Sequence, residues 1–178
     1  MSTISGSSES LSTLKPTIAL INGDAIDEGL ELALACDIRI ASSRARFALT
    51  QIKRGGIPHC GGTQRLARIA GAGLALKMIL TGERIDAATA MRAGILSTVA
   101  ANRAALDRAG RELQRTIGSR APIATRLAKE AIRNGVDMTL AQGIRLEEDL
   151  YALLQTTADR AEGVRAFLEK RRPLFKGA

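Results

Sequence analysis

The side chains able to do chemistry in this sequence are acids, one amide and a single glycine-rich loop. Glu31 follows Asp27, Glu28, Gly29 and Leu30, and is flanked by Leu32, Ala33 and Leu34. A carboxylic acid among apolar neighbours suits proton transfer, because its surroundings set where it ionises. The ordinary alternative is a solvated acid at the start of a helix. Asp27 and Glu28 favour a helix N-terminus through its dipole. Gln51 can orient a water but cannot take or give its proton at neutral pH. His59 is the only histidine, and Cys60 follows it, within Gly55-Gly56-Ile57-Pro58-His59-Cys60-Gly61-Gly62. Four glycines and a proline in eight residues exclude a regular element and let backbone approach a ligand closely. A metal centre needs three or four ligands, and only Cys60 and sequence-remote carboxylates stand beside His59, so no metal site is expected. The histidine is expected near a pocket mouth.

The elements that position these groups follow from periodicity and punctuation. Thr17–Ile21 (TIALI) is a short apolar, β-rich run, read as a buried strand. Asn22-Gly23 is a turn signal, and Asp27 to Gly29 open a helix to about Cys36. Ile38–Ala41 reads as a second strand and Arg46–Leu49 as a possible third. The tight strand–helix–strand unit resembles a βαβ crossover, apolar nearly all round and so expected in the middle of the fold. Thr63 is expected to cap a helix over TQRLARIA. Helices are predicted from about Leu74 to Leu80 and from Asp86 to near Gly94, with Ile95–Ala100 as the last strand. The remainder is helical: about 102–117, Pro122 to Asn134-Gly135, about 139–155, and a final helix through Lys170 capped by Thr157 or Asp159.

Composition narrows the classes. The chain has 178 residues, long enough for a real core, and 46% hydrophobic residues exclude a disordered chain. No apolar run reaches the roughly 18 residues of a membrane span. Residues 1–14, rich in Ser and Thr, read as a loose leader without a secretory pattern. Two cysteines make neither a disulfide framework nor a zinc cage, and a reducing cytoplasm is the expected compartment. The net charge of +8 admits an anionic partner. Nucleic acid is disfavoured: the basic residues are scattered, the longest run is Lys170-Arg171-Arg172, and aromatic residues make up only 2%. A phosphate-bearing small molecule fits as well.

Residues 15–42, KPTIALINGDAIDEGLELALACDIRIAS, resemble the centre of the enoyl-CoA hydratase/isomerase (crotonase) superfamily. IPHCGGTQRL, LTGERIDAATAMRAGIL and the tail AEGVRAFLEKRRPLFKG match in order and spacing, so the resemblance covers residues 15–178. It implies an α/β fold: a crotonase-like ββα spiral, N-terminally shortened, over residues 15–100, then a helical trimerisation region over 101–178. It implies an acyl-CoA thioester as substrate, coenzyme A as part of that substrate with no tightly bound cofactor, and a homotrimer or dimer of trimers. The family's two catalytic glutamates align with Glu31, which is kept, and Gln51, which is not. Glu28 aligns with the residue whose N–H is the second oxyanion donor; Asp27 and Glu28 oppose an oxyanion unless their side chains turn away. Phe167 and Lys170 match the family's FxxK pair for the CoA adenine and 3′-phosphate. The chain resembles the C-terminal two-thirds of a member, without the region carrying the first strands and the other oxyanion donor. The implied function is enolate-type chemistry on acyl-CoA with impaired hydration. The alternative is a non-catalytic oligomer or partner of a full-length relative.

Overall fold

The computed structural model describes residues 14–178. The expected leader therefore lies, but for Leu14, outside the described residues. The chain divides into two compact units, residues 17–112 and residues 14–16 with 113–178.

In the first unit, β1 (Ile18–Ile21) lies parallel to β3 (Ile38–Ser42), with Ile18 opposite Ile38 and Ile21 opposite Ala41, and β6 (Thr98–Ala100) adds parallel to β3. Asp37 fixes the register by accepting from the Thr17 N–H (2.7 Å) and hydroxyl (2.9 Å). A second sheet is built from β2 (Ala25–Ile26), β4 (Arg46–Ala48) and β5 (Ile85–Asp86), β2 parallel and β5 antiparallel to β4. Helix α1 (Glu28–Ala35) follows β2 and completes the crossover from β1 to the parallel strand β3. A 3₁₀ turn spans Gln51–Arg54, followed by α2 (Gly62–Ala70), α3 (Ala72–Thr81) and α4 (Ala87–Arg92).

Leu30, Leu34, Phe47, Leu49, Leu66, Met78 and Ile95 form the core. The crossover, expected in the middle of the fold, leaves two of its leucines exposed: Leu20 at 44% and Leu32 at 53%. Leu30, Ala33 and Leu34 recur at helical spacing and face the core, which turns Leu32 to the opposite side. The last strand starts at Thr98 rather than Ile95 because the Ile95 and Leu96 N–H groups donate back to the Ala90 carbonyl, closing α4. Asp86 caps α4 as expected, accepting from the Thr89 N–H at 2.8 Å. The two-residue strands β2 and β5 are too short to show a period in the sequence.

The second unit contains α6 (Pro122–Gly135), α7 (Leu140–Gln155) and α8 (Ala158–Leu168); α5 (Arg103–Gly118) begins in the first unit and ends in the second. Thr139 and Gln142 form a capping box on α7, and Thr157 caps α8. Asp159 has another task. It is buried, and its carboxylate accepts the Lys176 N–H (2.7 Å) and the Gly177 N–H (2.8 Å), while its own N–H donates to the Ala178 carbonyl. Glu162 holds the same tail through a two-point pair with Arg171 (2.6 and 2.9 Å) and the Leu174 N–H (2.9 Å).

These partners push the Glu162 carboxyl down to about 2, the Arg171 guanidinium first and the Leu174 N–H second. A carboxyl depressed on folding contributes stability above its ordinary pKa, near 4.5, and loses it as pH falls through about 2. Carboxyl ¹³C NMR is expected to show the Glu162 midpoint near 2 in the native chain and back in the ordinary glutamate range in Arg171→Ala; an ordinary midpoint in the parent chain contradicts the clamp.

Candidate active site

Burying a carboxylate costs several kcal/mol unless donors replace its water. Glu31 is 1% exposed, on the same α1 stripe as Leu30 and Leu34. Its Oε1 accepts the Cys60 N–H at 2.7 Å and the Gly62 N–H at 2.8 Å. Gly62 is the first residue of α2, so the carboxylate also sits on the positive end of that helix. Thr63, expected as the cap, lies inside the helix. Gly61 is the capping residue, at φ 90°, and the acid of another helix supplies the anionic partner. Arg65 reaches back to donate to the Cys60 carbonyl at 2.8 Å, tying the loop to α2.

Glu31 Oε2 accepts from Gln51 Nε2 at 3.3 Å, so the structure brings the two residues together. Gln51 is also buried, and its Oε1 has no hydrogen-bond partner. A buried carbonyl oxygen without a donor is an acceptor waiting for one, such as a water or a substrate hydroxyl.

Asp27 does not crowd this site with negative charge. It stands at φ 53°, its N–H donates to the Ala48 carbonyl, and its carboxylate turns to Thr50 and Arg54. It accepts the Thr50 N–H and hydroxyl and pairs with the Arg54 guanidinium at 2.8 Å. Burial pushes the Asp27 carboxyl up, but Arg54 and the Thr50 donors outweigh it and hold the group below its ordinary value. The Asp27 carbonyl accepts from the Leu30 and Glu31 N–H groups, whereas the Glu28 and Gly29 N–H groups, in the first turn, have no carbonyl within the helix to serve. Glu28 is exposed, and no hydrogen bond joins it to Glu31 or Gln51.

A carboxylate buried on the apolar stripe of a crossover helix and gripped by a glycine loop is an arrangement for acid–base chemistry, and comparison with known proteins supplies the lineage. Residues 5–178 match the model of the enoyl-CoA hydratase/isomerase family. The chain belongs to that family. It is 45% identical over 163 residues to the 2,3-dehydroadipyl-CoA hydratase of Escherichia coli K12, and 46% identical over 164 residues to the (E)-benzylidenesuccinyl-CoA hydratase of Thauera aromatica. Each match covers 92% of this chain and 64% of the relative, so the chain spans a little under two thirds of their length. The crystal structure of an enoyl-CoA hydratase from Bacillus anthracis superimposes with a TM-score of 0.91 at 44% identity, covering 94% of this chain and 65% of that one. The fold is the crotonase fold, with its ββα spiral and helical C-terminal region.

Two expectations need correction. The final helix does not run through Lys170, so Phe167 and Lys170, three residues apart, do not share a helix face. Helix α8 ends at Leu168, and Lys170 lies beyond it at φ 53°. The Arg171 N–H donates to the Ala166 carbonyl and the Lys170 N–H to the Phe167 carbonyl, a Schellman closure with lysine where glycine is usual. Phe167 is 82% exposed, so it is not a core residue. The carboxylates expected to be remote from His59 and Cys60 are not all remote: a carboxylate oxygen of Glu31, a His59 ring nitrogen and Cys60 Sγ lie within 4.8 Å of one another. Sequence reasoning missed the N–H donors of Cys60 and Gly62; the glycine pair 61–62 was the available signal.

A Cβ on Gly62 would stand 2.9 Å from Glu31 Oε1 and 2.9 Å from Pro58 Cβ, whereas one on Gly29 would meet nothing within 4 Å. Gly62→Ala must therefore move the carboxylate off its donors, at about 1–3 kcal/mol. Gly29→Ala, within α1, should gain about 0.5–1 kcal/mol. Urea unfolding of the two variants is expected to show these opposite signs; equal effects would mean that the Gly62–Glu31 contact is not what excludes a side chain.

Proposed function

We propose that the chain acts on acyl-CoA thioesters by enolate-type chemistry with Glu31 as its one acid–base group, and that hydration is impaired. The observation that carries this reading is the buried Glu31 carboxylate, with Oε1 saturated by two N–H donors and Oε2 facing the Gln51 amide. Hydration adds water oxygen at Cβ and a proton at Cα, work that two carboxyl groups divide well. Gln51 Oε1 would accept one hydrogen of that water and hold it, without removing the proton. Moving a double bond needs less: one base takes a proton from Cα and returns it at Cγ. The α1 N-terminus would offer the Glu28 N–H to the thioester oxygen, since the Asp27 charge is spent on Arg54. Both relatives are named as hydratases of CoA thioesters, which supports the substrate class.

Lys170 would pair with the 3′-phosphate of CoA, and the exposed Phe167 ring would stack on its adenine. A non-glycine residue in the left-handed region costs about 1–2 kcal/mol, and such strain is usually retained where the side chain has a task. A homotrimer or dimer of trimers is supported by α7. It has no buried residue, and it presents Leu140, Ile144 and Tyr151 on one face, 81%, 47% and 59% exposed. No helix among the described residues is long and apolar enough to cross a membrane. The second reading, a non-catalytic oligomer, is favoured by one feature alone, the amide of Gln51 at the family's second acid position.

Crotonyl-CoA hydration and 3-enoyl-CoA isomerisation, assayed separately, test the reading. Glu31→Gln is expected to lower isomerisation by about 10²–10⁴-fold, and Gln51→Glu to raise hydration by about 10²-fold. Turnover of neither substrate by the parent chain and by Gln51→Glu would favour the non-catalytic reading. For CoA we expect a Kd on the order of 0.1–1 mM, about 4–5.5 kcal/mol. Lys170→Gly should stabilise the chain by about 1 kcal/mol while weakening CoA more than dephospho-CoA in calorimetry. Equal losses for the two ligands would remove the assigned phosphate contact.

A further inference from the structure

We propose that Glu31, His59 and Cys60 form a binding site for a thiophilic divalent cation, of which Zn²⁺ is the type. One carboxylate oxygen, one imidazole nitrogen and one thiol sulfur already lie within 4.8 Å of one another. A tetrahedral ion with bonds of about 2.0–2.3 Å needs ligand atoms roughly 3.3–3.6 Å apart. The gap is at most about 1.2–1.5 Å, and a rotation of the exposed His59 side chain would narrow it.

The surroundings suit an ion as well as the ligands do. Glu31 Oε1 is fixed by the Cys60 and Gly62 N–H groups, which orients the carboxylate and leaves Oε2 with only the long contact to Gln51. Donors that fix one oxygen this way are the usual outer shell of a metal carboxylate. The bare Oε1 of Gln51 is an acceptor for the hydrogen of a metal-bound water. Three protein ligands leave a tetrahedral ion one open position for that water. A thiolate and an imidazole select zinc or its neighbours over magnesium and calcium. Binding replaces the Cys60 thiol proton, which passes to solvent, with a sulfur–metal bond. An ion held here ties up the carboxylate that would act on a thioester, so metal and substrate exclude each other. That exclusion alone rests on the proposed role of Glu31; the binding itself does not.

Co²⁺ added under reducing, oxygen-free conditions reads the site without any assay of activity. The parent chain is expected to bind one equivalent with a near-ultraviolet sulfur-to-cobalt band, bleached by equimolar Zn²⁺. Cys60→Ser should abolish the band, and His59→Ala and Glu31→Gln should each weaken binding at least about tenfold. Cys36→Ser should leave it unchanged, because Cys36 is elsewhere and donates to the Leu32 carbonyl. X-ray absorption of the zinc-loaded parent chain counts ligands directly should Glu31→Gln fail to fold; one sulfur with nitrogen and oxygen neighbours is expected. No band at excess Co²⁺, a band that survives Cys60→Ser, or zinc without a sulfur neighbour would overturn the site. If cobalt binds as expected while Glu31→Gln leaves isomerisation untouched, the metal site stands and the exclusion of substrate falls.

Discussion

The first unit is organised around one charge that water does not reach. Glu31 lies on the apolar stripe of α1, and a carboxylate there is tolerable only because the chain brings backbone donors to it. That requirement dictates the loop. Two N–H groups two residues apart must point at one oxygen, with Gly61 between them in the left-handed region and Gly62 so close that no Cβ fits. Pro58 packs under the same glycine. The start of α2, the bend of the loop and the reach of Arg65 to the Cys60 carbonyl all follow from serving that one side chain.

A second buried acid, Asp27, is handled in the opposite way. Its partners are a guanidinium and the Thr50 donors rather than a helix end, and its charge is cancelled locally. The two acids are four residues apart on the same helix start, yet one is paired with a cation and the other meets only neutral donors, the Cys60 and Gly62 N–H groups and the Gln51 amide. Charge cancelled at Asp27 is charge removed from the mouth of α1, where an anionic oxygen would need to form. Electrostatic preorganisation is usually the largest catalytic contribution, so under the proposed enolate chemistry this disposal would bear on catalysis as well as on stability.

Much of this was legible in the sequence. The order of strands and helices follows from short apolar runs and their turn residues, and the family motifs from residue 15 onward fix the fold. Glu31 stands out because an acid interrupts an apolar helix. What was not legible shares one physical cause: it depends on groups far apart in the chain. Thr63 looks like a cap because the acid that replaces it is on another helix. Asp159 looks like a cap because its true partners, the N–H groups of Lys176 and Gly177, lie beyond the helix it begins. His59 lacks carboxylate partners in the sequence because Glu31 reaches it only through the fold.

The tail shows the same economy at a smaller scale. Helix α8 could end with glycine at its left-handed position at no steric cost; it ends with Lys170. The turn is held from both sides, by the Schellman bonds to Phe167 and Ala166 and by the Arg171 pair with Glu162, so the strained residue has little freedom to relax. Its backbone is over-determined while its side chain remains exposed. A cation on a fixed backbone loses less freedom when it meets an anion, which favours the phosphate contact proposed for Lys170.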